Sequence, residues 1–282
     1  MKLCRFGEPG AEKPGLIDHN GDLRDLSNEV ADIGNEALSD MSLDILSKVD
    51  AMQLPLVEGP VRYGPCVANV GKFLCIGLNF SDHAAETGAA IPEHPIVFHK
   101  ATSSIIGAND DVVMPRGSTR SDWEVELGVV IGTTAKYVSE DDALNHVAGY
   151  CIVNDVSERH FQTQLSGQWT KGKSCDTFGP IGPWLVTRDE VGDPQNLAMS
   201  CEVNGKRMQT GNTNTMIFTV AQCISHLSGL MTLHPGDVIT TGTPPGVGMG
   251  IKPNPVYLKV GDVMELSIDK LGSQRQEVKI DD

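Results

Sequence analysis

Asp122-Trp123-Glu124-Val125-Glu126-Leu127-Gly128-Val129-Val130-Ile131 is the stretch on which the reading of this chain turns. Its β-branched and aliphatic residues mark a strand, and successive strand side chains point to opposite faces. Glu124 and Glu126 therefore share one face, roughly 7 Å apart at their Cα atoms, while Val125 and Leu127 take the other. The continuation Val129 to Ile131 has no polar residue and reads as buried on both faces. Two acids at the edge of such a core are costly without a partner, and a divalent cation is a natural one. Taken alone, Glu-x-Glu also fits a solvated strand edge.

The rest of the chain sets the frame. With 282 residues, 40% hydrophobic and 21% charged, it has ample length for a sizeable core. Thirty Gly and 16 Pro favour many turns over long helices, hence a β-rich or mixed architecture. The formal net charge of −15 opposes phosphate backbones and anionic lipid, so neither nucleic acid nor membrane is expected as a partner. An anionic substrate would need locally concentrated cations. The seven cysteines (4, 66, 75, 151, 175, 201 and 223) are odd in number and form no Cys-x-x-Cys, which fits a reducing, cytoplasmic setting better than a disulfide scaffold or thiolate zinc site. Neither a signal-peptide pattern nor a run of about 18 apolar residues is visible.

Residues 1–65 alternate short apolar pieces with turns and read as a small β-containing N-terminal domain with one helix near Ser42 to Val49. Pro55, Pro60, Gly64 and Pro65 mark its boundary with a larger domain, residues 66–282. In the latter, strands are expected over Phe73 to Gly77, Pro95 to Phe98, Trp123 to Ile131, Gly149 to Val153, Leu197 to Val203, Val238 to Thr241 and Val263 to Ile268. Asn204-Gly205 signals a type I′ hairpin. Helices are expected over Ser139 to Val147, Glu158 to Leu165 and Thr219 to Leu230.

Asp155 closes the apolar run Tyr150 to Asn154 where a helical pattern begins, and Asp155 with Glu158 also reads as a capping box. Arg159 and Gln162 lie four and seven residues on, along one helical face with Asp155. Glu124, Glu126 and Asp155 together offer three hard oxygens, suited to Mg²⁺, Mn²⁺ or Ca²⁺. His83 and Glu86 stand one helical turn apart, which could hold the imidazole as a general base or be an ordinary surface pair. Gly167 to Ser174 matches G-x-x-x-x-G-K-[ST] literally, but it follows a polar segment rather than a buried strand, so a nucleotide-binding P-loop is not expected.

In order and spacing, Cys75 to Phe80 with His83, Trp123 to Gly128, Asn154 to Arg159, Gly172-Lys173-Ser174 and Thr241 to Pro244 resemble the fumarylacetoacetate hydrolase family, over about residues 70–270. The resemblance implies an α+β, predominantly β fold: a mixed β-sandwich roll with peripheral helices, usually homodimeric. It implies Glu124, Glu126 and Asp155 as ligands of Mg²⁺ or Mn²⁺, His83 and Glu86 as catalytic dyad, and Arg159, Gln162, Lys173 and Thr243 as contacts to a small anionic keto acid. The expected reaction is hydrolysis of a carbon-carbon bond in a 2,4-diketo acid to pyruvate and a second acid. Among such acids, 2,4-diketo-3-deoxy sugar acids of carbohydrate catabolism are favoured. Residues 84–95 would form a lid. Decarboxylation of a β-keto acid such as oxaloacetate, ureidoglycolate lyase activity and a non-enzymatic metal-binding protein are the alternatives.

Overall fold

The structure is a computed structural model and describes residues 1–281. The strand Val125–Ile131 lies inside a ten-stranded mixed sheet. Its antiparallel neighbours are Val147–Asn154 on one side and the short Val238–Thr240 on the other. Beyond Val238–Thr240 come Phe73–Gly77 and then Ile96–Lys100. On the opposite wing Val147–Asn154 pairs with Gly179–Thr187, which pairs in turn with Lys2–Phe6. The N-terminal strands Lys2–Phe6, Lys13–Ile17 and Leu23–Asp25 thus extend the main sheet through Lys2 opposite Val186 and Leu3 opposite Leu185.

A second sheet of five strands runs Lys206–Asn212, Ala198–Val203, Val263–Ile268, Gly272–Ile280, Val112–Met114. The period-two alternation of the central strand decides what each sheet face meets. Val125, Leu127, Val129 and Ile131 bury against Met199, Cys201, Met264 and Leu266 of the second sheet and Ile224 and Leu227 of the helix Val220–Leu230. Val130, on the other face, packs with Val153, Phe73 and the N-terminal residues Leu3, Ile33 and Leu38. Glu124 and Glu126 share that second face, at the end where the apolar packing stops. The fold is α+β and predominantly β, as expected.

The helix Val220–Leu230 begins in a capping box, Thr219 accepting from the Gln222 N–H and Gln222 accepting from that of Thr219. The strands Phe73–Gly77 and Val263–Ile268 carry the expected bounds. Asn204 and Gly205 turn the hairpin of Ala198–Val203 and Lys206–Asn212 with φ of 54° and 71°.

Other expectations need correction. The predicted helix Ser139 to Val147 is one turn, Glu140–Ala143, followed by a 3₁₀ turn and then the strand that starts at Val147. The nine-residue strand Gly179–Thr187 is unforeseen, because Pro180 and Pro183 argue against a central strand. It is tolerated because the pairing with Val147–Asn154 shifts register between Tyr150 and Ile152, beside Pro183.

Candidate active site and metal centre

The ladder brings the acids together. Val153 stands opposite Glu126 and Asn154 opposite Val125, so the next residue, Asp155, comes alongside Glu124. The Asp155 N–H donates to the Glu124 carbonyl at 2.9 Å, closing the two strand ends. One oxygen from each of Glu124, Glu126 and Asp155 lies within 4.8 Å of the others, and all three residues are buried. These are the three acids that the sequence offered as hard oxygen ligands and that the family resemblance implied as a metal set.

The expected helical continuation from Asp155 is not what positions its neighbours. Ser157–Glu158 form a short strand against Ser121–Asp122, and the helix is Arg159–Gln164. Glu158, not Asp155, caps it by accepting from the His160 N–H at 3.0 Å. Asp155 is free for the cluster for this reason. Arg159 and Gln162 are one turn apart on that helix, and Arg159 donates to Gln162 Oε1 at 3.1 Å.

Three buried cations grip the acids. Arg159 donates to Glu124 Oε1 at 2.6 Å and, through Nε, to Asp122 Oδ2 at 2.9 Å. Lys173, on the one-turn helix Thr170–Lys173 within the rejected P-loop match, bridges Glu124 Oε2 at 2.6 Å and Asp155 Oδ2 at 2.5 Å. Lys100 donates to Asp155 Oδ1 at 2.7 Å and to the Val156 carbonyl at 3.0 Å. The buried Asp122 also accepts from the Gly248 N–H at 2.6 Å and the Met249 N–H at 3.0 Å, tying the loop 244–250 to Arg159.

The electrostatics separate the two glutamates. Burial would push Glu124 up, but Arg159 and Lys173 outweigh it and hold the carboxyl well below the usual range. Glu126 has no ion pair among the described residues; its Oε2 accepts the Gly242 N–H at 2.9 Å. Burial, then the charges of Asp155 and Glu124, push its carboxyl well above the usual range. Lys173 loses to burial but gains more from Asp155 and Glu124, and is raised to about 12. A buried carboxylate that faces two others and no cation of its own is what a divalent ion would satisfy. The all-oxygen donor set fits Mg²⁺ or Mn²⁺.

His83 and Glu86 sit on the helix Ser81–Thr87, with Nδ1 and Oε2 3.1 Å apart. Glu86 Oε1 also accepts from the Gly246 N–H at 3.0 Å, so the same loop 244–250 touches both Glu86 and, through Asp122, Arg159. One cavity of about 280 Å³ is lined by His83, the three acids, Arg159, Gln162, Lys173 and Thr243 among others. Every site residue expected from the sequence lines it except Glu86, which is behind His83. Thr243 is at the edge of the cluster with its hydroxyl donated to the Val125 carbonyl at 2.9 Å.

Other residues of this assembly were given no site role in the sequence, Asn79 among them although it falls in the Cys75 to Phe80 motif. Asn79 is fully buried and holds the site's outer loops, donating to the carbonyls of Thr241 at 2.8 Å and Phe218 at 3.0 Å and accepting the Phe218 N–H at 2.8 Å. Lys100 left a signal, a lone lysine ending the apolar run Ile96 to Phe98. Gln209 did not: it lies on Lys206–Asn212 in the second sheet and accepts the Val125 N–H at 3.0 Å across the sandwich.

A ten-stranded sheet packed on a five-stranded one, with a buried acidic triad at the end of its central strand, defines a β-sandwich enzyme with a metal-binding cavity. The pattern of the fumarylacetoacetate (FAA) hydrolase C-terminal family matches residues 72–279, and the chain belongs to this family. A relative from Burkholderia ambifaria with the provisional name hydrolase is 62% identical over 279 residues, 99% of each chain. The fumarylacetoacetate hydrolase of psychrophilic Exiguobacterium antarcticum superposes with a TM-score of 0.87 at 36% identity, covering 100% of both chains. Maleylpyruvate hydrolase of Sphingobium sp. SYK-6, solved with manganese(II) and pyruvate, gives 0.83 at 26% identity, again over both full chains. No helix among the described residues is long and apolar enough to cross a membrane.

Proposed function

We propose that the protein is a divalent-metal-dependent hydrolase that cleaves the bond between carbons 3 and 4 of a 2,4-diketo acid, releasing pyruvate and a second acid. The observation that carries this reading is the opening of the acidic triad, two buried cations and His83, backed by Glu86, onto one cavity. The structural likeness to a maleylpyruvate hydrolase holding manganese(II) and pyruvate supports it.

Glu124, Glu126 and Asp155 would hold Mg²⁺ or Mn²⁺, which when bound supplies Lewis acidity to the 2-oxo acid end of the substrate. Arg159 and Lys173 stand beside that end and offset its carboxylate charge. Glu86 engages His83 Nδ1, leaving Nε2 to take a proton from water. The water oxygen adds to carbon 4, the bond between carbons 3 and 4 breaks, and its electron pair departs on the pyruvate enolate. His83 then returns the proton to carbon 3. The buried cations, fixed in place by their ion pairs, need no reorganisation as negative charge develops.

Oxaloacetate decarboxylation and ureidoglycolate cleavage would use the same anion site but leave the dyad without a task. A metal-binding protein without activity would have no need of the cavity. The favoured 3-deoxy sugar acid concerns the acyl end of the substrate, away from these groups. The residues 84–95 would close over the cavity, and homodimeric assembly in a reducing cytoplasm, where all seven cysteines stay free, completes the reading.

The test is pyruvate release from a panel of 2,4-diketo acids with Mg²⁺ supplied or chelated, alongside Glu126→Ala and His83→Ala. Metal-dependent release lost in both variants is the expected result. Carbon dioxide from oxaloacetate, or cleavage of ureidoglycolate, with every diketo acid untouched would replace the reading.

A further inference from the structure

Away from the acids and cations, the cavity changes character. Ile76, Leu78, Ile96, Phe98 and Trp169 form much of its wall. Phe98 lies next to the anion end, its ring 5.1 Å from Lys173 Nζ, and Trp169 meets Phe98 edge-on with ring centroids 5.3 Å apart. Trp169 reaches this position because residue 77 is glycine: a Cβ there would stand 2.4 Å from Trp169 Cζ3. The indole rests directly on the end of the strand Phe73–Gly77.

Most polar side chains of the lining are already engaged; among the described residues Gln162 Nε2 and His83 Nε2 are exceptions, both beside the acids and cations rather than on the apolar wall. Arg159 and Lys173 are pinned to Asp122, Glu124 and Asp155. Thr87 donates its hydroxyl to the His83 carbonyl at 3.0 Å, Thr163 to that of Arg159 at 2.8 Å and Thr243 to that of Val125 at 2.9 Å. Gln162 Oε1 accepts from Arg159. The rim lysines Lys171 and Lys252 donate to the carbonyls of Leu165 and Glu86, and neither lines the cavity. A second carboxylate on the tail would lose its water with no cation to replace it, and hydroxyls lying along the carbon surface of Ile76, Leu78, Ile96, Phe98 and Trp169 would lose theirs with no hydrogen bond in exchange. An alkyl or aryl tail loses nothing and covers apolar wall.

We propose that this wall is an acyl pocket, with Trp169 as its specificity-determining residue, and that the substrate is a monoanionic acylpyruvate whose acyl group is uncharged and apolar. The proposal rests on the hydrolase reading for the word acylpyruvate, and on the pocket alone for the tail. It departs from the sugar-acid expectation, whose tail is a polyol.

The experiment measures binding by calorimetry to the full-length protein in Mg²⁺ buffer, using three six-carbon 2-oxo acids that share one head. The tails are those of 2-oxohexanoate, 2-oxohexanedioate and a 3-deoxy-2-oxo hexonate. The alkyl acid should bind at least tenfold more tightly than either other. Trp169→Ala should weaken it fivefold or more while pyruvate, which ends short of the wall, changes less than twofold, and Trp169→Phe should restore most of the loss. Equal or tighter binding of the diacid or polyol acid, or an unchanged preference in Trp169→Ala, overturns the assignment. The parallel assay separates the two readings. If the tail preference holds and no acylpyruvate yields pyruvate, the hydrolase reading falls and the apolar pocket stands. If pyruvate is released but charged or hydroxylated tails win, the reverse holds.

Discussion

Glu126→Gln should stabilise the metal-free protein and make its stability less sensitive to pH. Burial and the charges of Asp155 and Glu124 raise the folded-state affinity of Glu126 for a proton, whereas in the unfolded chain it titrates near pH ~4.3. Above that value the folded protein holds a proton that the unfolded chain has released. Stability then falls with rising pH, by about 1.4 kcal/mol per unit, until the folded group itself ionises. The proton is shared within a cluster of three acids, so the titration belongs to the group with Glu126 at its centre. Glutamine removes this drain at nearly constant volume. Its carbonyl can still accept the Gly242 N–H, and its amide can donate to the neighbouring carboxylates. Between pH 5 and pH 7 the variant should gain up to about 2.7 kcal/mol on the wild type, two units at that slope. At about 2.1 cal/mol/K per residue, the chain's unfolding entropy converts this to about 5 °C in Tm. The assay is calorimetric melting of both proteins in chelator across pH 5 to 8, then with Mg²⁺. Added Mg²⁺ should raise the wild type, increasingly so at higher pH as it displaces the proton, and should do far less for the variant. Parallel melting curves in chelator would refute the account of Glu126 as the unpartnered acid.

His83→Ala should lower the rate of pyruvate release by about 10² to 10⁴ while leaving the Mg²⁺-induced rise in Tm in place, because His83 is not among the converging acids; metal titration by melting separates the two effects. Lys100→Met removes one of the two lysines that Asp155 accepts from and strands the Val156 carbonyl, which should cost about 3 to 5 kcal/mol in urea unfolding. Asn79→Ala deletes three hydrogen bonds, one buried and two partly buried, that join the segments around residues 79, 218 and 241, with an expected loss of about 2 to 4 kcal/mol; because Ile217 also donates its N–H to the Asn79 carbonyl, the local chain path should survive and metal binding should weaken only modestly. Gly246→Ala places a Cβ 1.9 Å from the Met208 carbonyl at a φ of +104°, so the loop that holds Glu86 must shift, and activity should fall more than Tm.

What was legible in the sequence follows from how local each signal is. Alternation in Trp123 to Ile131 placed both glutamates on one face, and the apolar run ending at Asp155 placed the third acid, since strand ends in an antiparallel pair meet in register. The approach from Asp155 to the helix was misread because Ser157–Glu158 pair with Ser121–Asp122, contacts 35 and 37 residues away that no local pattern carries. Gly179–Thr187 was hidden by its prolines, which a register shift accommodates. The roles of Gln209 and of Asn79, the latter inside the Cys75 to Phe80 motif, were not legible because they depend on contacts distant in sequence. Each is a polar residue in an ordinary context whose value lies in a partner on another layer.

The distribution of charge reconciles a chain of net charge −15 with the anionic substrate proposed for it. Four linked or facing carboxylates, Asp122, Glu124, Glu126 and Asp155, are buried with three cations, Lys100, Arg159 and Lys173. Fully ionised, this set carries one negative charge. A proton on Glu126 brings it to zero, and with a divalent cation in place of that proton it reaches one positive charge. The low-dielectric surroundings make that difference count, while solvent and salt screen the repulsion from the more distant surface acids. Affinity for a 2-oxo acid should therefore depend on the divalent cation far more than on bulk salt. Pyruvate binding that persisted in chelator and weakened in proportion to ionic strength would place the anion's attraction on the surface instead.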